Sequence, residues 1–247
     1  KGRSQLVSLV TYLSDLARQK GIEVPSLWLD PLNPQISLSS LKQPEDSYSV
    51  TIGLTDDPEN QEQLPYTLDL ANAGNILIAG EPGTGKTWLA ETILLTSIDR
   101  NSPEDLQFYI ADLTGKSLGM FSQLKHVGMC MSRPSEEELC LLIQFAYDLL
   151  EKRKKLFAQY NRTSFASMRR VQRLPLTFFI IDGFDDFPDR GQGRQALDQL
   201  LRLLRDGPAF GIQFMLLVAD VRNVTARQQS VIQTSLPLRL TDMYLYQ

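Results

Sequence analysis

Apolar residues recur with helical periodicity near the start of the chain. Five of them lie on one face of a helix with 3.6 residues per turn: Leu6, Leu9, Val10, Leu13 and Ala17. This pattern predicts an amphipathic helix over residues 6–17 that packs against the rest of the protein. Residues 21–44 follow with four prolines, which is typical of an extended connector.

Two alternating apolar runs predict a β-hairpin with a long loop between Tyr48 and Leu70. The first run carries Val50, Ile52 and Leu54, and the second carries Tyr66, Leu68 and Leu70. Alternation of this kind places every second side chain on the buried face of a strand. The polar, turn-rich residues 56–60 lie between the two runs and form the loop.

Short continuous apolar runs predict five further strands that are buried on both faces of a sheet. They cover residues 75–79, 107–111, 176–181, 212–219 and 236–241. Helical patterns separate these runs, and the clearest helix starts at Ser135 with a capping box that includes Glu138. Strands that alternate with helices predict an α/β fold with a mostly parallel, doubly wound sheet. Its functional loops should lie at the carboxyl ends of the strands.

A glycine-rich loop directly follows the strand predicted at residues 75–79. It matches the pattern G-x-x-x-x-G-K-[ST] and reads Gly80-Glu81-Pro82-Gly83-Thr84-Gly85-Lys86-Thr87. In such a loop the backbone N–H groups and the N-terminus of the next helix surround phosphate oxygens. Lys86 would contact the β- and γ-phosphates, and the Thr87 hydroxyl would bind Mg²⁺. We therefore predict a P-loop that binds ATP and magnesium.

A second strand should bring a carboxylate to the magnesium ion. The run Phe178-Phe179-Ile180-Ile181-Asp182 ends in an acid, so Asp182 is the predicted magnesium-binding aspartate. Many ATPases carry a second acid directly after this aspartate, but here the next residue is Gly183. Asp185 and Asp186 are candidate substitutes, although acids in such a loop are also ordinary turn formers. Ala219, at the end of a neighbouring predicted strand, adds no polar group, which again weakens the case for hydrolysis.

Other polar residues carry alternatives that the sequence leaves open. Asp112 follows a predicted strand, where it either faces the nucleotide or caps the next turn. His126, the one histidine, is expected to be structural. Arg202 and Arg205 either act on a neighbouring nucleotide site or lie on a solvated helix face. Residues 115–117, Gly-Lys-Ser, resemble half a P-loop but lack the upstream spacing.

Composition narrows the possible partners. The 247 residues carry 25 Lys and Arg against 29 Asp and Glu, a net charge of −4, which disfavours nucleic acid as a ligand. The basic run at residues 151–155 is expected to be a solvated helix end.

Two cysteines, Cys130 and Cys140, suit a reducing compartment. No stretch is long and apolar enough for a membrane helix, so we expect this chain to be soluble. We also expect it to be a fragment of a longer protein.

Several segments resemble the FtsK/SpoIIIE branch of P-loop motors, and more closely the tandem ATPase modules of the EssC/EccC family of type VII secretion proteins. The resemblance covers nearly the whole chain, and the order and spacing of its segments make it specific. The segments are Trp28-Leu29-Asp30-Pro31-Leu32, Ile52-Gly53-Leu54-Thr55-Asp56-Asp57-Pro58 with Gln61 and Gln63, Leu68-Asp69-Leu70-Ala71, Gln107-Phe108-Tyr109-Ile110-Ala111-Asp112, His126-Val127-Gly128 and Gly207-Pro208-Ala209-Phe210-Gly211-Ile212.

The resemblance implies a RecA/FtsK-like P-loop fold in which residues 1–46 form an N-terminal helix and inter-module linker and residues 47–247 the ATPase domain. Asp182-Gly183 is similar to the second tandem module, which implies tight ATP binding and slow or absent hydrolysis. The implied partners are other ATPase modules of the same parent chain and small helical secreted proteins, with a homo-oligomeric ring as a further possibility. The implied location is the cytoplasmic side of the membrane, anchored outside this fragment.

Two rival functions remain at this stage. A DNA translocase of the FtsK/SpoIIIE type would share the fold, but the net charge and Gly183 both argue against it. A degenerate P-loop module that acts only through protein contacts would also share it. That module would gain little stability from ATP.

Overall fold

The computed structural model describes residues 5–22, 29–115 and 118–239 of the chain. Its strands are β1 (Ser49–Asp57), β2 (Glu62–Asp69), β3 (Ile76–Ala79), β4 (Leu106–Asp112), β5 (Val127–Ser132), β6 (Leu176–Asp182), β7 (Ile212–Val218) and β8 (Thr234–Pro237). Its helices are α1 (Gln5–Gln19), α2 (Lys86–Arg100), α3 (Glu136–Gln159), α4 (Phe165–Arg169), α5 (Gly191–Asp206) and α6 (Ala226–Gln229).

Six strands form one sheet in the order β5-β4-β6-β7-β3-β8, and every neighbouring pair runs parallel. All five buried strands predicted from the apolar runs are present in it. The last of them spans Thr234–Pro237 rather than residues 236–241, and residues 240 and 241 lie outside the described part of the chain. Strand β5 was not predicted, because it is an edge strand with exposed positions whose glycine and two methionines show no regular alternation.

Alternate residues of the central strands enter two separate hydrophobic clusters, one on each face of the sheet. Ile180 packs on the face that α2 covers, whereas its neighbour Ile181 packs on the face covered by α3 and α5. Both side chains are fully buried. Complete burial of an isoleucine contributes about 1.5–3 kcal/mol, which explains the continuous apolar run of β6. The doubly wound α/β fold is therefore confirmed.

The predicted hairpin is also present. β1 and β2 pair antiparallel, with an irregularity between Thr51 and Gly53. Val50 and Leu68 are buried in the same cluster as the apolar side of α2. The hairpin therefore closes the core on the α2 face of the sheet.

The N-terminal helix forms as predicted, but its predicted packing is wrong. No residue of α1 is buried, and the Leu6 side chain is 70% exposed. Helical periodicity reports a helix with an apolar face and carries no information about which surface covers that face. The connector after α1 contacts the hairpin, since the Gln63 side chain donates to the Asp30 carbonyl over 2.9 Å. Trp28 lies outside the described residues.

Helix α3 begins at the predicted capping box. The Ser135 hydroxyl accepts from the Glu138 N–H, and the Glu138 carboxylate accepts from the Ser135 N–H. Near its other end, the expectation of a solvated basic run is wrong at one position, because Arg153 is 4% exposed. Its guanidinium donates to the carbonyls of Phe210, Gly211 and Pro175 and to the Thr177 hydroxyl. Among the residues that the structure describes, no helix could span a membrane.

Candidate functional site

The glycine-rich loop connects β3 to α2 at the carboxyl end of the sheet. Gly85 immediately precedes α2 with a φ of 99°, a left-handed conformation that a residue with a Cβ rarely adopts. The Thr84 hydroxyl donates to the Glu81 carbonyl over 2.8 Å and closes the turn. The loop backbone thus curls around the N-terminus of α2, as phosphate binding requires.

Lys86, the first residue of α2, bends its side chain back over the loop. Its ammonium donates to the carbonyls of Gly80 and Glu81 over 2.6 and 3.1 Å. The side chain is partly buried, so its positive charge is held against the loop rather than extended into solvent. This position places a cation beside the predicted phosphate site.

Thr87 and Asp182 meet although they lie 95 residues apart in sequence. The Thr87 hydroxyl donates to Asp182 Oδ2 over 2.8 Å. Asp182 ends β6 and is 2% exposed. A hydroxyl and a carboxylate are the hard oxygen ligands that Mg²⁺ prefers, so this pair fits the ion that the P-loop implies.

These groups line a cavity of about 450 Å³. Its walls include Lys86, Thr87, Trp88, Asp182 and Ala219. A larger cavity of about 680 Å³ lies at the amino-terminal end of the sheet, between the hairpin and α4. That cavity has no glycine loop and no helix N-terminus with a lysine, so the chemistry, and not the volume, favours the smaller cavity as the candidate nucleotide site.

The position after Asp182 disfavours a side chain. Gly183 has a φ of 80°, and a Cβ at this position would lie 2.9 Å from the Thr114 Cγ2 atom. Thr114 belongs to the turn after β4 and lines the same cavity. The turn after β4 therefore crowds the position that an acid after Asp182 would occupy.

Asp185 and Asp186 both line the cavity, but their surroundings differ. Asp185 Oδ2 accepts from the Ala219 N–H over 2.6 Å, and Oδ1 accepts from the Asn223 amide over 2.8 Å. Asp186 is exposed. Asp185 therefore ties the loop after β6 to the end of β7, while a catalytic role for either residue stays a prediction.

The remaining candidates lie outside this constellation or beside it. Asp112 Oδ1 accepts from the Thr114 hydroxyl and the Gly115 N–H, each over 2.7 Å, so Asp112 does cap the following turn. The His126 ring pairs with the Asn101 carbonyl over 2.8 Å. Within the described ranges, no group of three or more His, Cys, Asp or Glu side chains forms a metal site. The half P-loop at residues 115–117 lies mostly outside the described residues.

The two arginines and the two cysteines have local environments of their own. Arg205 pairs with Asp206 over 2.9 Å and, with Arg202, lines a separate cavity of about 500 Å³ beside α6. Cys130 and Cys140 are free thiols. Burial raises the pKa of both thiols, which favours the protonated, unreactive form.

A parallel sheet whose strand β3 runs into a glycine loop and a helix, with a threonine and a buried aspartate meeting beside that loop, defines a domain of the P-loop NTPase fold. The chain belongs to the FtsK/SpoIIIE family, whose model matches residues 39–234. Membership of this family implies nucleotide binding, typically with Mg²⁺. It leaves open the domain boundary between residues 46 and 47, which stays a prediction.

Two curated relatives match this chain over a small part of their own length. The type VII secretion system protein EssC of Staphylococcus aureus (strain Mu50 / ATCC 700699) is 24% identical over 100% of this chain and 17% of that protein. The ESX secretion system protein EccC of Geobacillus thermodenitrificans (strain NG80-2) is 28% identical over 91% of this chain and 15% of that protein. The chain thus spans less than a fifth of the length of either relative.

Solved structures give the same result. EssC ATPases 2 and 3 from Geobacillus thermodenitrificans match with a TM-score of 0.79 and 26% identity, over 88% of this chain and 42% of that one. The cytoplasmic domain of the Thermomonospora curvata type VII secretion ATPase EccC matches with a TM-score of 0.77 and 26% identity, over 88% and 28%. The expected resemblance to EssC/EccC ATPase modules is therefore confirmed.

Proposed function

We propose that this chain is an ATP-binding module of a type VII secretion motor that holds Mg²⁺ and ATP and hydrolyses the nucleotide slowly. The proposal rests on one contrast: the P-loop and the magnesium-binding pair have their expected residues, whereas the position of the water-activating acid holds Gly183. Lys86, which lies back over the glycine loop, and the hydrogen-bonded Thr87–Asp182 pair would provide the phosphate and magnesium positions. At the position where many ATPases carry a water-activating acid stands Gly183, and a Cβ there would lie 2.9 Å from Thr114 Cγ2.

The loop and the two oxygen ligands have separate tasks. The loop N–H groups and the Lys86 ammonium bind and orient the phosphates, and Thr87 and Asp182 hold the metal, whose charge neutralises the phosphate oxygens. Gly183 offers no group that removes a proton from water, so the site favours binding over turnover. Bound ATP would then act as a structural ligand that sets how this module contacts its neighbours.

The proposed partners follow from the family and from the fraction of the relatives that this chain spans. EssC and EccC carry further ATPase modules in the same chain, so we expect this module to contact those of its own parent. Small helical secreted proteins are the proposed cargo, and a ring of parent chains the proposed assembly. The proposed location is the cytoplasmic face of a membrane to which the parent chain is anchored.

Lys86→Ala tests the assignment. A charge-assisted hydrogen bond contributes about 1.5–3 kcal/mol, so the variant should bind ATP about 10- to 100-fold more weakly in calorimetric titrations. Lys152→Ala, which removes an exposed lysine from α3, is the matched control and should bind as the wild type does. Unchanged ATP affinity in Lys86→Ala would overturn the proposal. Release of ATP rather than ADP from the denatured wild-type protein would support slow turnover.

A further inference from the structure

Asp112 and Asp182 stand side by side at the carboxyl end of the sheet. They are partners in the register between β4 and β6, and neighbouring strands lie about 4.8 Å apart. Ile110 and Ile180, two residues earlier on each strand, both pack on the α2 face. Since side chains alternate along a strand, both carboxylates point to the face that carries the P-loop helix.

One oxygen of Asp112 has no assigned role. Oδ1 caps the turn through Thr114 and Gly115, whereas Oδ2 is buried and has no hydrogen-bond partner within the described residues. The residue is fully buried. A buried polar atom without a partner costs about 1–3 kcal/mol, so such an atom beside a binding site indicates a missing donor.

The neighbouring charges specify what kind of donor is missing. Two carboxylates on adjacent strands repel each other, and a divalent cation between them removes that repulsion. Magnesium usually keeps several of its water molecules when it binds to a protein, and these waters donate hydrogen bonds to nearby carboxylates. Thr87 and Asp182 provide direct oxygen ligands, so Asp112 is placed to accept from the metal-bound water.

We propose that Asp112 is the second carboxylate of the magnesium site, and that its Oδ2 accepts a hydrogen bond from a water molecule bound to the ion. This inference rests on the proposed ATP-binding function. Thr114 and Gly115 hold the other oxygen, so the turn whose Thr114 methyl group lies beside Gly183 also holds the Asp112 carboxylate in place. Asp112 is in this sense a positioning residue for the metal, one that does not contact the nucleotide.

The test compares ATP affinity with Mg²⁺ and with EDTA in the wild type and in Asp112→Asn. Loss of a carboxylate that orients metal ligands lowers metal affinity by about tenfold or more. We expect Asp112→Asn to lower the ratio of the two ATP affinities about tenfold and to leave binding in EDTA unchanged. A merely structural role would lower both affinities equally, and an unchanged ratio would overturn the inference.

Two further measurements keep the result interpretable. Asp189→Asn removes an exposed carboxylate from the loop after β6 and should leave the ratio unchanged. If Asp112→Asn does not fold, a crystal structure of the wild type with Mg²⁺ and ATP decides, because the inference requires a metal-bound water within hydrogen-bond distance of Asp112 Oδ2. Failure of the wild type to bind ATP would instead overturn the proposed function itself.

Discussion

Gly183 has a left-handed backbone, with φ at 80° and ψ at 39°, at the point where β6 ends. For a residue with a Cβ this conformation costs about 1–2 kcal/mol, and the Cβ would lie 2.9 Å from Thr114 Cγ2, closer than ordinary van der Waals contact. The glycine therefore packs against the turn that follows the neighbouring strand β4. The backbone conformation at residue 183 thus itself disfavours the acid that many ATPases carry after the magnesium-binding aspartate.

Gly183→Glu should fail to create an efficient ATPase. We expect a loss of about 2–3 kcal/mol in the free energy of unfolding, from the backbone conformation and the contact with Thr114, and no increase in phosphate release. The double variant Gly183→Glu/Thr114→Ala should recover part of the lost stability because the clashing methyl group is gone. A single variant as stable as the wild type, with phosphate release raised tenfold, would contradict this account.

Helix α3 shows how one element combines local and long-range signals. Its start could be predicted because the capping box is local to Ser135 and Glu138. The burial of Arg153 could not be predicted, because this residue lies in a basic run that resembles a solvated helix face. Its guanidinium instead joins α3 to the chain before β6 and β7, and burial lowers the pKa of Arg153 to about 10.

Arg153→Met should test how much this buried contact stabilises the fold. The substitution keeps most of the apolar stem but removes the guanidinium donor from the carbonyls of Phe210, Gly211 and Pro175, of which Gly211 keeps the Thr177 N–H as a second donor. We expect a loss of about 3 kcal/mol in the free energy of unfolding by urea. Lys152→Met, at the exposed neighbouring position, should change it by less than about 0.5 kcal/mol. Equal effects of the two variants would contradict a role for the buried guanidinium.

The two ends of the sheet carry different groups of residues. The carboxyl end carries the P-loop and Asp182, whereas the amino end is held by contacts among the hairpin, β4 and the segment after α3. There the Tyr48 hydroxyl donates to the Asp105 carbonyl, and the Asp105 carboxylate accepts from Arg169 and Arg173. Burial raises the pKa of Tyr48 to about 12. The hydrogen bond from Arg173 is the main cause that lowers the pKa of Asp105 to about 2.

The stability of the fold should therefore depend on pH through Asp105. Its folded-state pKa is about 2, below the unfolded value of about 3.9, so its contribution is complete above pH 4 and is lost as the pH falls toward 2. The Arg173 side chain is more than half exposed, so solvent screens its interaction with Asp105. We therefore expect Asp105 to contribute about 1 kcal/mol to the free energy of unfolding, less than its pKa shift alone would imply. Between pH 5 and pH 3 the unfolding free energy of the wild type should fall further than that of Asp105→Asn. Parallel pH profiles for the two proteins would exclude this contribution.

Local signals in the chain were sufficient for the buried strands and the capping box, and they singled out the glycine loop and Asp182, whose binding roles stay predictions. Each of these signals lies in consecutive residues, because an apolar run, a capping box and the P-loop pattern are all local features of the sequence. The exposed apolar face of α1, the edge strand β5 and the burial of Arg153 depend on what packs against them, which periodicity does not report. The meeting of Thr114 with Gly183 and of Asp112 with Asp182 depends on strand order, since β4 and β6 become neighbours only when the sheet forms.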